Sequence, residues 1–227
     1  MVFPRKNRAF PEHAAVLDIE RGQLDTLRPI FWQTDTSVGE KSWGYVKDEK
    51  FRTPESLIDE LVDIVSKNGC LLLNIGPKPD GTIPDEAQRV LLEMGKWLSV
   101  NAEAIYATRP WKVYGEGPTK VVGGSFKDTA TRGYTAQDIR FTAKGETLYA
   151  IALAWPEDGR LTIKSLATGS ELTKREIKTV QLLGSKAPVK WTRSAEGLII
   201  TLSNEKQSGY PIALEIFPVD PAAGEVD

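Results

Sequence analysis

Asn68–Gly81 reads NGCLLLNIGPKPDG, and this stretch decides the fold class. Cys70–Leu73 is an apolar run that continues through Asn74-Ile75 and stops at Gly76-Pro77. A continuous apolar run bounded by turn residues predicts a strand buried on both faces, as in a parallel sheet. Helical patterns flank it. Upstream, Thr53-Pro54-Glu55 has the marks of a helix start: Thr as N-cap, Pro at the first helical position and an acid in the first turn. Leu57, Ile58, Leu61, Val62, Ile64 and Val65 then recur at helical spacing, and Asn68-Gly69 supplies the expected C-cap. Downstream, Pro84-Asp85-Glu86 opens a second helix with an apolar face of Ala87, Val90, Leu91, Met94, Trp97 and Leu98, predicted to end near Asn101–Glu103. Helix, strand, turn, helix is the repeating unit of an α/β fold.

Nearer the N-terminus, Ala14–Ile19 (AAVLDI) predicts a strand whose end delivers Glu20 into a glycine-containing loop, Glu20-Arg21-Gly22. Ile30–Thr34 predicts another, followed by a polar loop and then Ser42-Trp43-Gly44-Tyr45. Two large aromatics around a glycine stand out in a loop, where polar residues are usual. After the second helix, Ala107–Pro118 has the composition of a linker, with Pro110, Gly115, Gly117 and Pro118. Beyond it the period changes to two. Ile139–Phe141, Leu148–Leu153, Leu161–Ile163, Ile177–Leu182, Leu198–Leu202 and Ile212–Phe217 are predicted strands, separated by turn signals such as Lys144-Gly145, Glu157-Asp158-Gly159 and Ser208-Gly209. That spacing predicts an antiparallel sandwich. The polar tail from Asp220 is expected to fray.

The 227 residues carry a net charge of -2, so no basic field for nucleic acid is expected. No stretch approaches the ~18–20 apolar residues of a membrane span, and the first residues lack a secretory h-region. The single cysteine, Cys70, cannot form an internal disulfide and reads as a small core residue. The single histidine, His13, makes a histidine metal cluster or a Ser-His-Asp triad within this chain an unpromising expectation. Asp35, Asp48, Glu49 and Glu55 are too sparse for a calcium site, and neither metal nor cofactor is expected.

Several motifs, in one order, resemble the α-L-fucosidases of glycoside hydrolase family 29. They are Leu17–Gly22 (LDIERG), Phe31–Thr34 (FWQT), Ser42–Tyr45 (SWGY), Leu61–Gly69 (LVDIVSKNG), Leu71–Pro77 (LLLNIGP), Asp80–Pro84 (DGTIP), Gly95–Leu98 (GKWL) and Ala104–Trp111 (AIYATRPW). The likeness runs from about residue 14 to the end. It implies a partial (β/α)8 TIM-like barrel over residues 1–112, followed by an antiparallel β-sandwich over 113–227. The N-terminal portion of the barrel is expected to lie outside this sequence.

The resemblance also implies a retaining mechanism, in which one carboxylate attacks the anomeric carbon and a second serves as acid and then base, roughly 5–5.5 Å away. By motif position Glu20 matches the acid/base. The alternative is that Glu20 pairs with Arg21 or Arg28 on a solvated loop. Trp43 matches the aromatic set against the apolar side of fucose, near its methyl group; the alternative is a tryptophan that plugs the barrel mouth. Trp32 is expected in the barrel wall, Trp97 in core, Asp80 in a turn, and His13 outside any matching motif. Asp18 shares a strand face with Glu20, so a dyad of the two is a further reading. The family's aspartate nucleophile is implied upstream of Met1. The expected partner is a fucosylated glycan, together with an upstream polypeptide completing the barrel, or self-association. By resemblance the compartment is an exported one. Two competing readings stand beside the enzyme: a non-catalytic carbohydrate-binding or interaction module, and a relic.

Overall fold

The computed structural model describes residues 4–5, 11, 14–131, 133–202 and 209–222. His13, and the tail beyond residue 222, lie outside the described residues. The chain divides into two compact units, Met1–Lys96 with Lys120–Arg132, and Trp97–Thr119 with Gly133–Asp227.

In the first unit, β1 (Pro4–Arg5), β2 (Val16–Glu20), β3 (Trp32–Ser37) and β4 (Gly69–Asn74) form one parallel sheet in that order. Helix α1 (Pro54–Ser66) connects β3 to β4. It starts as predicted: Thr53 accepts from the Ser56 N–H at 3.2 Å, and Pro54 opens the first turn. The C-cap falls on the expected Asn68-Gly69 pair: Asn68 takes the left-handed conformation (φ 72°), and Gly69 is already in β4. Gly69 is needed for another reason, because a Cβ there would lie 2.5 Å from the Trp32 ring and 2.8 Å from Ile64.

One expectation changes, at β4, and α1 holds buried acids besides its apolar residues. The α1 face toward the protein is not purely apolar: Asp59, Glu60 and Asp63 are buried with Leu57, Ile58, Val62 and Ile64. Asp63 is neutralised by Lys67, whose Nζ sits 2.6 Å from its carboxylate and also donates to Leu24 O. And β4 is not buried on both faces. It is the last strand of its sheet among the described residues, and Leu72 stays 55% exposed.

Helix α2 (Asp85–Asn101) begins in the first unit and ends in the second, followed by a 3-10 turn, Ala102–Ala104. Trp97 is buried, as expected, and its indole donates to Pro211 O at 2.7 Å.

The second unit adds β5 (Arg109–Glu116), β6 (Ile139–Lys144), β7 (Thr147–Ala152), β8 (Arg160–Ile163), β9 (Thr179–Leu182), β10 (Lys190–Ser194), β11 (Gly197–Thr201) and β12 (Ile212–Phe217). They make a five-stranded sheet, β5-β6-β7-β12-β9, and a three-stranded sheet, β10-β11-β8. Phe141, Leu148 and Leu214 of the larger sheet share one core with Leu161, Ile163, Leu198 and Ile200 of the smaller. The linker expected at 107–118 is therefore strand β5 over most of its length. It is an edge strand with a register shift between Pro110 and Gly115, and edges with bulges are where sheets tolerate proline and glycine. The boundary expected near residue 112 falls inside it. Strand β10 carried no apolar alternation and was not predicted.

Candidate active site

Glu20 is the last residue of β2, and Trp43 lies in the loop that leaves β3. Glu20 sits at, and Trp43 beyond, the C-terminal end of a parallel strand, where open α/β sheets place their chemistry. Trp32 turns toward α1, as the Gly69 and Ile64 contacts require. Asp18 accepts from Gln33 Nε2 at 3.3 Å, on the opposite face. Alternation puts Glu20 with Asp18, and Asp35 with Gln33, on that face turned from α1. Glu20 and Asp35 are also register partners in the β2–β3 ladder. The sheet thus brings two carboxylate residues side by side at its end. The sequence alone puts Asp35 in the polar loop after Thr34, because it does not say where β3 stops.

The loop carrying Trp43 is tied down at several points. Arg52 N donates to Val38 O at 2.9 Å and Glu40 N to Lys50 O at 2.8 Å, which closes the base of the loop. Asn74 Nδ2 donates to Trp43 O at 2.6 Å, and Ser37 Oγ to Ser42 O at 3.2 Å. A Cβ on Gly76 would stand 2.7 Å from Gly44 C and 2.8 Å from Tyr45 N. The NIGP segment after β4 is therefore the bed on which the SWGY loop rests: Asn74 holds it and Gly76 makes room for it. Ser42 and Gly44 line a small pocket with Ser37, Tyr45, Glu49 and Phe51.

Beneath this loop lies a buried charge network. Arg21 Nε donates to Asp128 Oδ2 at 3.1 Å, and Arg21 Nη2 to Glu40 O at 2.8 Å and Gly39 O at 3.3 Å. The guanidinium carbon stands 5.5 Å from the centroid of the Trp43 ring, within cation–π range. Thr36 Oγ1 also donates to Asp128 Oδ2, at 2.7 Å. Arg52 reaches the same carboxylate at 3.9 Å and pairs with Glu60 at 2.6 Å. Burial outweighs Arg52 at Glu60 and pushes its carboxyl up to about 7. Burial, then Asp18, also raises the Cys70 thiol. Asp128 belongs to a segment that returns from the second unit's stretch of chain, and backbone bonds seat it on the β2 end. Phe126 N donates to Glu20 O at 2.8 Å, and Lys127 N and Asp128 N donate to Arg21 O at 2.7 and 2.9 Å. No sequence signal pointed to Asp128, which lies 107 residues from Arg21.

Asp80 is a turn residue, as expected: it accepts from Thr82 N and Thr82 Oγ1, and those bonds lower its carboxyl. Among the described residues, no group of three or more His, Cys, Asp or Glu side chains could hold a metal. Nor is any helix of the described residues long and apolar enough to cross a membrane.

Comparison with known proteins points to one family. Residues 5–103 match the family model for α-L-fucosidase, and residues 132–216 match that for the α-L-fucosidase C-terminal domain. The tissue α-L-fucosidase of Homo sapiens is 40% identical over 184 residues, covering 79% of this chain and 34% of that protein. That of Bos taurus is 37% identical over 198 residues, covering 85% and 37%. The crystal structure of Thermotoga maritima α-fucosidase in complex with fucose superposes with a TM-score of 0.69 at 28% identity, over 92% of this chain and 43% of that one. The chain spans about a third of the length of the curated relatives it matches.

Proposed function

Because this chain belongs to the α-L-fucosidase family, glycoside hydrolase family 29, we propose that it forms the acid/base side of a retaining α-L-fucosidase active site. Glu20 protonates the leaving oxygen and then activates water. Trp43 lies against the apolar side of the fucose ring, where an aromatic contributes contact area and excludes water. The observation that carries this is their joint position: Glu20 ends β2, and Trp43 stands in the loop after β3, over Arg21.

In this proposal residues 1–112 form the last part of a (β/α)8 catalytic barrel, and 113–227 a C-terminal sandwich. The nucleophilic aspartate and the remaining strands come from polypeptide outside these residues, which pairs along the open edge of β4. The substrate is a glycan with terminal α-L-fucose, and the working compartment is an exported one. Acid/base help alone contributes roughly 10²–10⁴-fold, well short of a full enzyme, so the second carboxylate is required.

A second reading takes these residues as a carbohydrate-binding or interaction module, since the second unit closes a core of its own from two sheets. Intact mass from the native source, with assay of L-fucose release by the same material, separates the two. A mass near 25.1 kDa without release supports the module. A mass about twice that, with release abolished by Glu20→Gln, supports the enzyme.

A further inference from the structure

We infer that Arg21 is a positioning residue that sets the ring of Trp43 for the sugar, with Asp128 as its anchor. The inference rests on the reading of Trp43 as the residue against fucose.

The backbone gives the first reason. Arg21 has φ 46°, in the left-handed region. A bulky residue there is strained, and glycine is the residue that fits at no steric cost. Gly22 follows immediately, yet the strained position holds arginine. Strain of this kind persists only when the surroundings over-determine it, and here they do. Arg21 N donates to Asp35 O at 2.8 Å, while Arg21 O accepts two bonds from Lys127 N and Asp128 N.

The side chain gives the second reason. The guanidinium is a planar fork, and its bonds run to one carboxylate and two loop carbonyls, those of Gly39 and Glu40. Those carbonyls belong to the strand-exit end of the loop that carries Trp43. The same fork stands under the Trp43 ring. Arg21 therefore fixes both the start of the loop and the face of the aromatic, while its own main chain continues directly from Glu20. Lysine can keep the charge beside Asp128. It cannot bond three oxygens in one plane and stack at the same time.

The test uses the protein at its native length and the Arg21→Lys variant, with Arg21→Met as a second. Six tryptophans give six indole N–H signals, and Trp43→Phe assigns the one that matters. In Arg21→Lys the Trp43 signal is expected to shift and broaden while the other five hold. KM for an aryl α-L-fucoside is expected to rise about tenfold, with kcat within about twofold. Asp128→Asn should move the same signal. An unmoved Trp43 signal in either Arg21 variant overturns the inference and leaves the fucosidase reading intact. A moved signal with unchanged KM overturns the link from ring to sugar. If the wild-type protein releases no fucose, the fucosidase reading fails, and the indole signals still decide whether Arg21 positions the ring.

Discussion

Arg52 Nη1 donates to Glu60 Oε2 across 2.6 Å, and both side chains are almost wholly out of water. The other oxygen, Glu60 Oε1, has no hydrogen-bond partner among the described residues. The cation is close, yet burial dominates and Asp128 and Asp63 add repulsion, so the carboxyl is raised to about 7. Removing one partner of a buried pair costs far more than the pair itself stabilises.

The sign of the resulting pH dependence follows. A carboxyl raised by folding stabilises most below its unfolded value, near 4.5, and that contribution is lost as pH rises through about 7. The first unit should therefore lose on the order of 3 kcal/mol between those limits from this group. Thermal melts across pH 4.5–7.5 should show the decline in wild type and a flatter curve in Glu60→Gln. Parallel curves would assign the decline elsewhere.

Glu20→Gln should slow release of a poor leaving group by roughly 10²–10⁴-fold while sparing an activated aryl fucoside. Steady-state rates on the two substrates check it. Equal losses would mean that Glu20 is not the acid.

Gly69→Ala should destabilise the first unit by about 1–3 kcal/mol, because the new methyl meets the Trp32 ring and Ile64 at once. Urea titration reads this directly. A neutral result would require Trp32, whose indole also bonds Lys67 O, to move freely.

A polypeptide starting at Trp97 should melt higher than one starting at Lys120. The second start deletes the edge strand β5 and the Trp111–Phe141 ring contact, centroids 5.5 Å apart. Circular dichroism of the two settles the comparison, and equal melting would make β5 dispensable.

Leu72→Lys should reduce self-association of the isolated chain. Leu72 is exposed on β4, an edge strand among the described residues, and a charge on such an edge discourages pairing. Sedimentation of the two proteins would show it; a wild-type chain that is already monodisperse would remove the premise.

Much of the fold was legible in the sequence. Thr53-Pro54 announced α1 because capping chemistry is local, and the period-two runs announced the sandwich because each strand buries one face. What was missed is non-local. Strand β5 hid behind Pro110 and Gly115, which are tolerated at an edge and read as a linker without it. Leu72 looked buried because its run is apolar, while β4 is the last strand of its sheet among the described residues. At the candidate site, Glu20 and Trp43 are proposed from residue type and motif. Asp35 needed the register of β2 on β3, and Asp128 needed a chain return of 107 residues.

That return has a bearing on how such proteins can be recombined. The path crosses between the two units three times, after Lys96, Thr119 and Arg132. A C-terminal module exchanged at any single junction before residue 120 would carry Asp128 away with it. Two arginines would then be stranded in the dry interior with one carboxylate between them. The sandwich is thus not a cassette: a successful graft must leave residues 120–132 with their original host.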